Sequence, residues 1–344
     1  MKRQILILIF SFVAISFIAL EACKKKNENL TTPIEFVAPP GWPQPAYNFQ
    51  NNPLTQQGIE LGRKLFYDGI LSKDGGYPCA GCHQQIGAFG TFDHDRSHGY
   101  NNSHTLRNAP PLTNLAWQSY YKWDGSANTL EKVILDHISA RDEMGETVEN
   151  VVSKLNAEAS YKPMFNAAFG SETATAERLS KAISQFVLTM VSSNSKYDKV
   201  KRGEANFTTA EQTGYDLYKS KCTGCHQEPL FTDLNFRNIG MPVDINLADI
   251  GRMKVTGNAI DSLKFKVPSL RNVERTFPYG HDGRFFGLDN VLEHYRSEVV
   301  NGPTTDPLIK NKIPMSNFEF GQLKAFMYTL TDTSFISAKQ FAAP

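Results

Sequence analysis

Two copies of one five-residue pattern constrain this chain more than any other feature of its sequence. Cys-Ala-Gly-Cys-His occupies residues 79–83, and Cys-Thr-Gly-Cys-His occupies residues 222–226. Cys-x-x-Cys-His is the attachment motif of c-type haem, because two thiols one helical turn apart can form thioethers with the haem vinyl groups. The imidazole that follows is placed to ligate the iron. The sequence therefore predicts two covalently bound haem c groups, held by Cys79, Cys82 and His83 and by Cys222, Cys225 and His226.

Two other uses of paired cysteines fit this pattern less well. A zinc site would need further clustered cysteine or histidine ligands. Apart from the two motifs, the chain has a single cysteine, Cys23, close to its N-terminus. A thioredoxin-like redox pair requires neither a histidine after the second cysteine nor a second copy.

The N-terminus is typical of an export signal. Lys2 and Arg3 precede an uncharged apolar run from residue 5 to 20, which is slightly short for a membrane span. The segment that ends at Cys23 resembles a bacterial lipoprotein signal, although Glu21 departs from that pattern. We expect a signal peptide over residues 1–22, a lipid anchor at Cys23 and a tether over residues 23–50, on the periplasmic side of a membrane. An ordinary signal peptide or an uncleaved anchor helix is the alternative.

The balance of charge argues against one class of partner. With 36 basic and 35 acidic residues the formal charge is +1, whereas a nucleic-acid binder usually shows a basic face or stripe. We therefore expect no nucleic-acid partner. A composition of 41% hydrophobic and 11% aromatic residues excludes a mostly disordered chain.

The segments around the two motifs repeat each other. Each copy has a predicted amphipathic helix before the motif, Leu-Arg-Asn after it, and Asp-Gly beyond that. These features fall at 58–67, 106–108 and 124–125 in the first copy, and at 211–218, 270–272 and 282–283 in the second. Strand-like alternation is scarce. We predict an all-α fold of two cytochrome c-like domains, each with one haem, over residues 51–198 and 199–344.

Aligning the two repeats pairs two candidate iron ligands. His137 lies thirteen residues after Asp124, and Tyr295 lies thirteen residues after Asp282. If the domains are true repeats, both side chains occupy the same place relative to their haems, and both residue types can ligate iron. The alternative is that each is a solvated or helix-capping residue.

The order of these motifs resembles that of the bacterial di-haem cytochrome c peroxidase family, from about residue 54 to residue 330. The resemblance implies that peroxide reacts at the N-terminal haem, held by His83, and that the haem held by His226 accepts electrons. Besides the haem motifs, the matching segments are 61–66, 107–110, 123–125, 143–144, 249–252, 267–272 and 278–285.

The resemblance also assigns roles to four residues outside the haem motifs. Trp123 matches a tryptophan between the haems, where its π-system can relay an electron or hole, although core packing is an alternative role. Asn108, Thr276 and Pro278 match positions around a calcium ion between the domains. Hard oxygen ligands suit calcium, and water would complete the shell.

Glu143 matches the acid-base carboxylate of the family. Cleavage of the peroxide bond needs a group that takes a proton from one oxygen and returns it to the other. A carboxylate whose pKa is raised by a partly apolar pocket can do both. The alternative is an ordinary surface glutamate, since residues 141–143 form a charged stretch.

Three positions depart from the family pattern. Where the family has a glutamine in the peroxide pocket, this chain has Val133. Where the family has a proline on the distal side of the haem, this chain has His137, which makes His137 a candidate sixth ligand or acid-base group. Where the family has a methionine ligand to the C-terminal haem, this chain has Tyr295. A tyrosine at this position resembles the MauG subgroup, which is named for methylamine utilisation and whose members oxidise a protein substrate. If this alignment shifts, the alternative ligands are Met241, Met253, Met315 and His294.

The loop after the first motif contains a further candidate ligand. Some relatives use a histidine of this loop to block the peroxidatic iron at rest. His98 is the better match and His94 the weaker one, and a solvated loop histidine is the alternative. We expect a six-coordinate N-terminal haem at rest, through His98 or His137.

Three functions follow from these assignments. The first is reduction of hydrogen peroxide to water with electrons from a small periplasmic donor, such as a monohaem cytochrome c or a cupredoxin. The second is MauG-like oxidation of a protein or organic substrate through high-valent haems, which Tyr295 favours. The third is a di-haem electron-transfer or sensor protein without turnover, which the loss of the glutamine at Val133 favours.

Overall fold

The computed structural model of the protein describes residues 31–92 and 94–344, so the predicted signal peptide and Cys23 lie outside the described residues. The described part is mostly helical, as the all-α prediction requires. Its α-helices, in chain order, are α1 (Gln56–Tyr67), α2 (Cys79–Cys82), α3 (Leu130–Ser139), α4 (Val148–Ala157), α5 (Tyr161–Phe169), α6 (Ala176–Leu188), α7 (Lys196–Lys201), α8 (Thr209–Lys221), α9 (Met253–Thr256), α10 (Leu288–Glu293), α11 (Asn317–Tyr328) and α12 (Thr333–Ile336).

Seven of these helices begin at a serine or threonine that caps the first turn. The hydroxyl accepts a hydrogen bond from a backbone N–H that has no partner within the helix, and this fixes the start of the helix. The caps are Thr55, Thr129, Thr147, Thr175, Ser195, Thr208 and Ser316.

The first apolar core forms where α1 packs against α6. Leu61 and Leu65 of α1 and Phe186 of α6 are fully buried there. The two backbones approach so closely at Gly62 that a Cβ on this residue would lie 1.9 Å from the carbonyl oxygen of Ala182. Glycine is therefore required at this contact.

The second apolar core repeats this arrangement with α8 and α11. Tyr218 of α8 and Phe326 of α11 are fully buried. A Cβ on Gly214 would lie 1.9 Å from the carbonyl oxygen of Gln322. Each haem motif is thus preceded by a helix that packs through a glycine on the last long helix of its own half.

Residues 32–50, predicted to be part of a tether, pack on the first core. The ring of Phe36 stacks on that of Phe49 with centroids 4.5 Å apart, and Trp42 meets Trp117 at 4.8 Å. The hydroxyl of Tyr47 donates to Glu131 at the start of α3. Four aromatic side chains in this stretch give it enough apolar surface to bind the domain, so this part is not a free spacer.

Short segments of each predicted domain pack in the apolar core of the other. Phe335 and Phe341, near the C-terminus, are buried in the first core, and the carbonyl oxygen of Phe341 accepts a hydrogen bond from Tyr67 at 2.6 Å. Tyr197 of α7, which precedes the predicted boundary at residue 198, belongs to the second core. The last ten or so residues therefore tie the C-terminal half to the first core.

One two-stranded sheet interrupts the helical architecture of the described residues. Strand β1 (Phe236–Arg237) pairs antiparallel with β2 (Phe265–Lys266), so that Phe236 faces Lys266. Strand β2 also reaches the N-terminal half, because the N–H of Lys266 donates to the carbonyl oxygen of Trp123 at 2.7 Å. Across residues 31–92 and 94–344, none of the helices is both long enough and apolar enough to cross a membrane.

Replacing Gly214 with alanine should destabilise the protein by about 2–3 kcal/mol, because the added methyl group overlaps the backbone of α11 and the helices must separate. The matched control is Gly321→Ala on α11, where a Cβ meets nothing within 4 Å. That exchange should stabilise by roughly 0.5–1 kcal/mol through helix propensity. Urea unfolding of both variants measures the difference. Equal effects of the two substitutions would contradict the close contact.

Candidate haem sites and the wall between them

Each Cys-x-x-Cys-His motif places its two thiols at one side of a single helical turn. In the first motif this turn is α2, which begins after Pro78. In the second, the turn follows α8 directly, and the N–H of His226 donates to the carbonyl oxygen of Cys222 at 2.9 Å. None of the four motif cysteines forms a disulfide.

The two motif imidazoles are fixed in the same way. Nδ1 of His83 donates to the carbonyl oxygen of Phe89 at 2.9 Å, and Nδ1 of His226 donates to that of Phe231 at 3.1 Å. A carbonyl can only accept, so Nδ1 carries the proton and Nε2 has its lone pair free for a metal. Burial lowers the pKa of His83 to about 4 and also lowers the pKa of His226. Both imidazoles are therefore neutral at pH 7, which is the form that binds iron.

A cavity lies beside each motif. The N-terminal cavity, about 410 Å³, is lined by Cys79, Cys82 and His83, and the C-terminal cavity, about 420 Å³, is lined by Cys222, Cys225 and His226. Both lie in the range of ordinary cofactor pockets. Each has two thiols for thioether bonds and one oriented neutral imidazole, so the residues present fit a covalently attached haem.

His137 and Glu143 form a pair on the wall of the N-terminal cavity. Nδ1 of His137, in the last turn of α3, is hydrogen-bonded to the carboxylate of Glu143. The ring centroids of His137 and His83 are 6.5 Å apart, with the ring planes at 70°. Val133, at the position of the missing glutamine, lines the same cavity. The structure thus brings together the two residues that the sequence suggested as acid-base groups.

The pKa of Glu143 differs from the sequence-based expectation. Burial raises it, but the attraction of His137 and the hydrogen bond to its ring outweigh burial, and the pKa of Glu143 lies below its ordinary value. The prediction of a raised pKa was wrong, because it considered the apolar pocket without the histidine partner. An ionised Glu143 holds the Nδ1–H tautomer of His137 and turns Nε2 into an acceptor.

Tyr295 lines the C-terminal cavity. It lies in a turn of π-helix, His294–Glu298, that follows α10, and such turns occur frequently at functional sites. Burial raises the pKa of its hydroxyl, so the free side chain is neutral. Met241 and Met315 line the same cavity, whereas Met253 does not. His294 donates from Nε2 to the carbonyl oxygen of Ile239 at 2.8 Å, and it does not line the C-terminal cavity.

Trp123 lies in the wall that the two cavities share. Its indole N–H donates to the carbonyl oxygen of Asn108 at 2.8 Å. Arg107 holds the surrounding loops together, because its guanidinium binds Asp124 at 2.6 Å and, through two hydrogen bonds of 2.6 and 2.8 Å, Asp249 of the other half. The aromatic side chain between the cavities is therefore fixed from both halves.

The three residues suggested for calcium, Asn108, Thr276 and Pro278, all line the C-terminal cavity. The amide of Asn108 donates to the carbonyl oxygen of Asp95 at 2.9 Å. Within residues 31–92 and 94–344, no group of three histidine, cysteine or acidic side chains is arranged to hold a metal ion. A cation here would depend on neutral oxygens and water, a donor set that suits calcium.

His98 lines the N-terminal cavity, but its ring contacts other side chains near the protein surface. Its Nδ1 is 3.2 Å from the side-chain oxygen of Asn102, and its ring packs against those of His104 and His94 with centroids 4.2 and 5.0 Å apart. Of the two candidate distal ligands, His137 is the one whose ring faces that of His83.

Lys266 is a site residue that sequence reasoning missed. Its side chain lines both cavities beside Trp123. No sequence signal identifies it, since it lies in a two-residue strand and reaches the site only through contacts with the N-terminal half.

These features define a mostly helical c-type haem protein with an acid-base pair in one of its cavities. Residues 56–206 match the family described as di-haem cytochrome c peroxidase. The chain is 32% identical over 313 residues to the methylamine utilization protein MauG of Methylophilus methylotrophus, covering 88% of this chain and 90% of that protein. It is 34% identical over 276 residues to cytochrome c551 peroxidase of Nitrosomonas europaea, covering 79% of each.

A solved structure supports the same assignment. The crystal structure of a MauG-like protein associated with microbial copper homeostasis matches with a TM-score of 0.82 and 33% identity, over 90% of this chain and 99% of that one. The chain belongs to the di-haem cytochrome c peroxidase and MauG family. The family predicted from the sequence is confirmed, and with it the class of enzyme, an oxidoreductase of the cytochrome c peroxidase type.

Asp249→Asn should destabilise the protein by about 3 kcal/mol at pH 7, because it removes one partner of a buried ion pair. Burial raises the pKa of Asp249, but Arg107 lowers it further, to below the ordinary value of 3.8. A lowered pKa stabilises the fold above that value and ceases to do so as the pH falls through it. The gap between wild type and variant, measured by urea unfolding, should therefore shrink below about pH 4.

The control for this prediction is Glu204→Gln. Glu204 pairs with Arg202 at 2.8 Å on the exposed surface, where ion pairs contribute little. Its unfolding midpoint should stay at the wild-type value. A gap for Asp249→Asn that is constant from pH 7 to pH 3 would show that Arg107 is not the cause.

Proposed function

We propose that this chain binds two haem c groups and reduces hydrogen peroxide to water at the N-terminal cavity. The observation that carries the proposal is the His137–Glu143 pair, which faces His83 across that cavity. Electrons would enter at the C-terminal haem from a small periplasmic redox protein, such as a monohaem cytochrome c or a cupredoxin. Relatives named as cytochrome c peroxidases support this assignment.

Haem supplies the electron-transfer chemistry of peroxide cleavage, and the protein supplies proton transfer and orientation. Reduction of hydrogen peroxide to two waters consumes two electrons and two protons. Because Nδ1 of His137 donates to Glu143, its Nε2 can accept a peroxide proton, and the Glu143 carboxylate stabilises the imidazolium that forms. The same proton can then be returned to the leaving oxygen.

His137 is also our candidate for the ligand that occupies the iron at rest. Its ring is 6.5 Å from that of His83, whereas His98 packs against two other histidines. Peroxide could bind only if the His137 side chain moved away from the iron. Its hydrogen bond to Glu143 would hold the imidazole in the cavity wall after that movement.

The remaining assignments complete the proposal. Trp123, in the wall shared by the cavities, would relay electrons between them. Asn108, Thr276 and Pro278 would supply oxygens to one calcium ion. The enzyme would act on the periplasmic side of a bacterial membrane, attached through a lipid on Cys23, with two cytochrome c-like domains meeting at the shared wall.

A second candidate function is MauG-like oxidation of a protein or organic substrate, with peroxide as oxidant. Tyr295 favours it, because a hard phenolate stabilises ferric iron, where the methionine of a cytochrome-like centre would raise the potential. The similarity to two MauG proteins and to a MauG-like protein associated with microbial copper homeostasis also supports it.

Glu143→Gln should lower kcat/KM for peroxide about 100-fold or more, because a neutral amide cannot stabilise a protonated His137. Steady-state oxidation of a reduced monohaem cytochrome c measures this loss. Glu149→Gln, on the exposed face of α4, should leave turnover at the wild-type rate. Wild-type turnover in Glu143→Gln would contradict the assigned role of the pair.

Tyr295→Met should raise the midpoint potential of one haem by on the order of 100 mV, because a thioether favours ferrous iron. Spectroelectrochemical titration measures it. Tyr279→Phe is the matched control, since Tyr279 lines the same cavity but donates its hydroxyl to the carbonyl oxygen of Val273 at 2.7 Å. Unchanged potentials in both variants would mean that Tyr295 is not an iron ligand.

A further inference from the structure

Lys266 brings a half-buried ammonium group to the junction of the two cavities. Its Nζ donates to the carbonyl oxygen of Tyr120 at 2.9 Å and to the side-chain oxygen of Gln118. Its backbone N–H donates to the carbonyl oxygen of Trp123. One residue of the C-terminal half thus fastens the loop that carries the tryptophan of the shared wall.

This ammonium has no carboxylate partner among residues 31–92 and 94–344. The nearest acidic influence is Asp124, but Arg107 already binds that carboxylate at 2.6 Å, and Arg252 donates to the carbonyl oxygen of the same residue at 2.9 Å. Burial lowers the pKa of Lys266 to about 7, against a weaker opposing attraction from Asp124. A cation that is partly withdrawn from water and has no counter-charge is stabilised when a ligand supplies the negative charge.

The other basic residues of the cavity walls differ from Lys266. Each of four has a carboxylate partner, and Lys254 is exposed to solvent. The four paired residues are Arg107, Lys122, Lys221 and Arg237. Among the described residues, Lys266 is therefore the cation of the cavity walls that is partly shielded from solvent and has no carboxylate partner.

An ammonium group has three N–H donors, and two of those on Lys266 are used by Gln118 and Tyr120. The third is free to meet a ligand carboxylate at the border of the cavities. Each haem carries two propionates, which are anionic at neutral pH. We propose that Lys266 anchors a haem propionate at the shared wall, an inference that rests on the proposed binding of two haems. Lys266 would then be a positioning residue that joins the haem edge to the Trp123 loop.

The test compares three variants of the full-length, haem-loaded protein in the absence of peroxide. Loss of a cation at a propionate disfavours the ferrous state, so Lys266→Met should lower the equilibrium constant for reduction of one haem about tenfold. For a one-electron couple this is about 59 mV. Lys266→Arg keeps the charge and should stay within about threefold of wild type.

The matched control is Lys264→Met. Lys264 lies two residues before Lys266, pairs with Asp261 at 3.4 Å and lines neither cavity. Its loss should leave both midpoint potentials at their wild-type values. Wild-type potentials in Lys266→Met, with both haems present, would overturn the anchor.

Two further measurements separate the possible failures. A pyridine haemochrome assay of the wild type counts the haems, and fewer than two would refute the proposed function before the anchor is tested. If Lys266→Met does not mature, resonance Raman spectra of wild type and Lys266→Arg decide the question. The propionate bending band should shift between them because the donor changes from ammonium to guanidinium, and an identical band would overturn the anchor.

Discussion

The ion cluster around Arg107 is the interaction on which the rest of the site depends. One guanidinium binds Asp124 of its own half and Asp249 of the other half, with all three groups largely shielded from solvent. Because the cluster is next to Trp123, it fixes the loop that separates the two cavities. Without it each cavity would keep its own cysteines and histidine, but the wall between them would lose an ion cluster that joins the two halves.

The two halves share their structural framework and differ in their reactive side chains. Both use a glycine to bring two helices into backbone contact, at Gly62 and Gly214, and both orient the motif imidazole with a phenylalanine carbonyl. On the distal side the halves differ, since one cavity has the His137–Glu143 pair and the other has Tyr295. The duplicated framework thus carries different side chains in its two cavities, a hydrogen-bonded histidine–glutamate pair in one and a tyrosine in the other.

The sequence predicted what is local and missed what depends on contacts across the fold. The haem motifs, the helices that precede them and the family follow from short segments, because a thiol pair or an amphipathic helix is recognisable within a few turns of the chain. The packing of residues 32–50, and of Phe335 and Phe341 on the first core, depends on surfaces formed elsewhere in the chain. The direction of the pKa shift of Glu143 was predicted wrongly for the same reason. Burial raises this pKa, but the contact with His137 lowers it by more, and the prediction considered burial alone.

Charge at the shared wall would link the proposed relay through Trp123 to the proposed haems. The indole N–H of Trp123 donates to a backbone carbonyl, which cannot take up a proton, so an indole that loses an electron here would remain a cation. A bare ammonium on Lys266, in the same wall, would oppose that cation, and a low-dielectric wall would strengthen the opposition. Pairing the ammonium with a propionate cancels most of this repulsion. The haem that supplies the anion would therefore also lower the barrier to electron passage through Trp123, and an unloaded protein would lack a working relay as well as an iron centre.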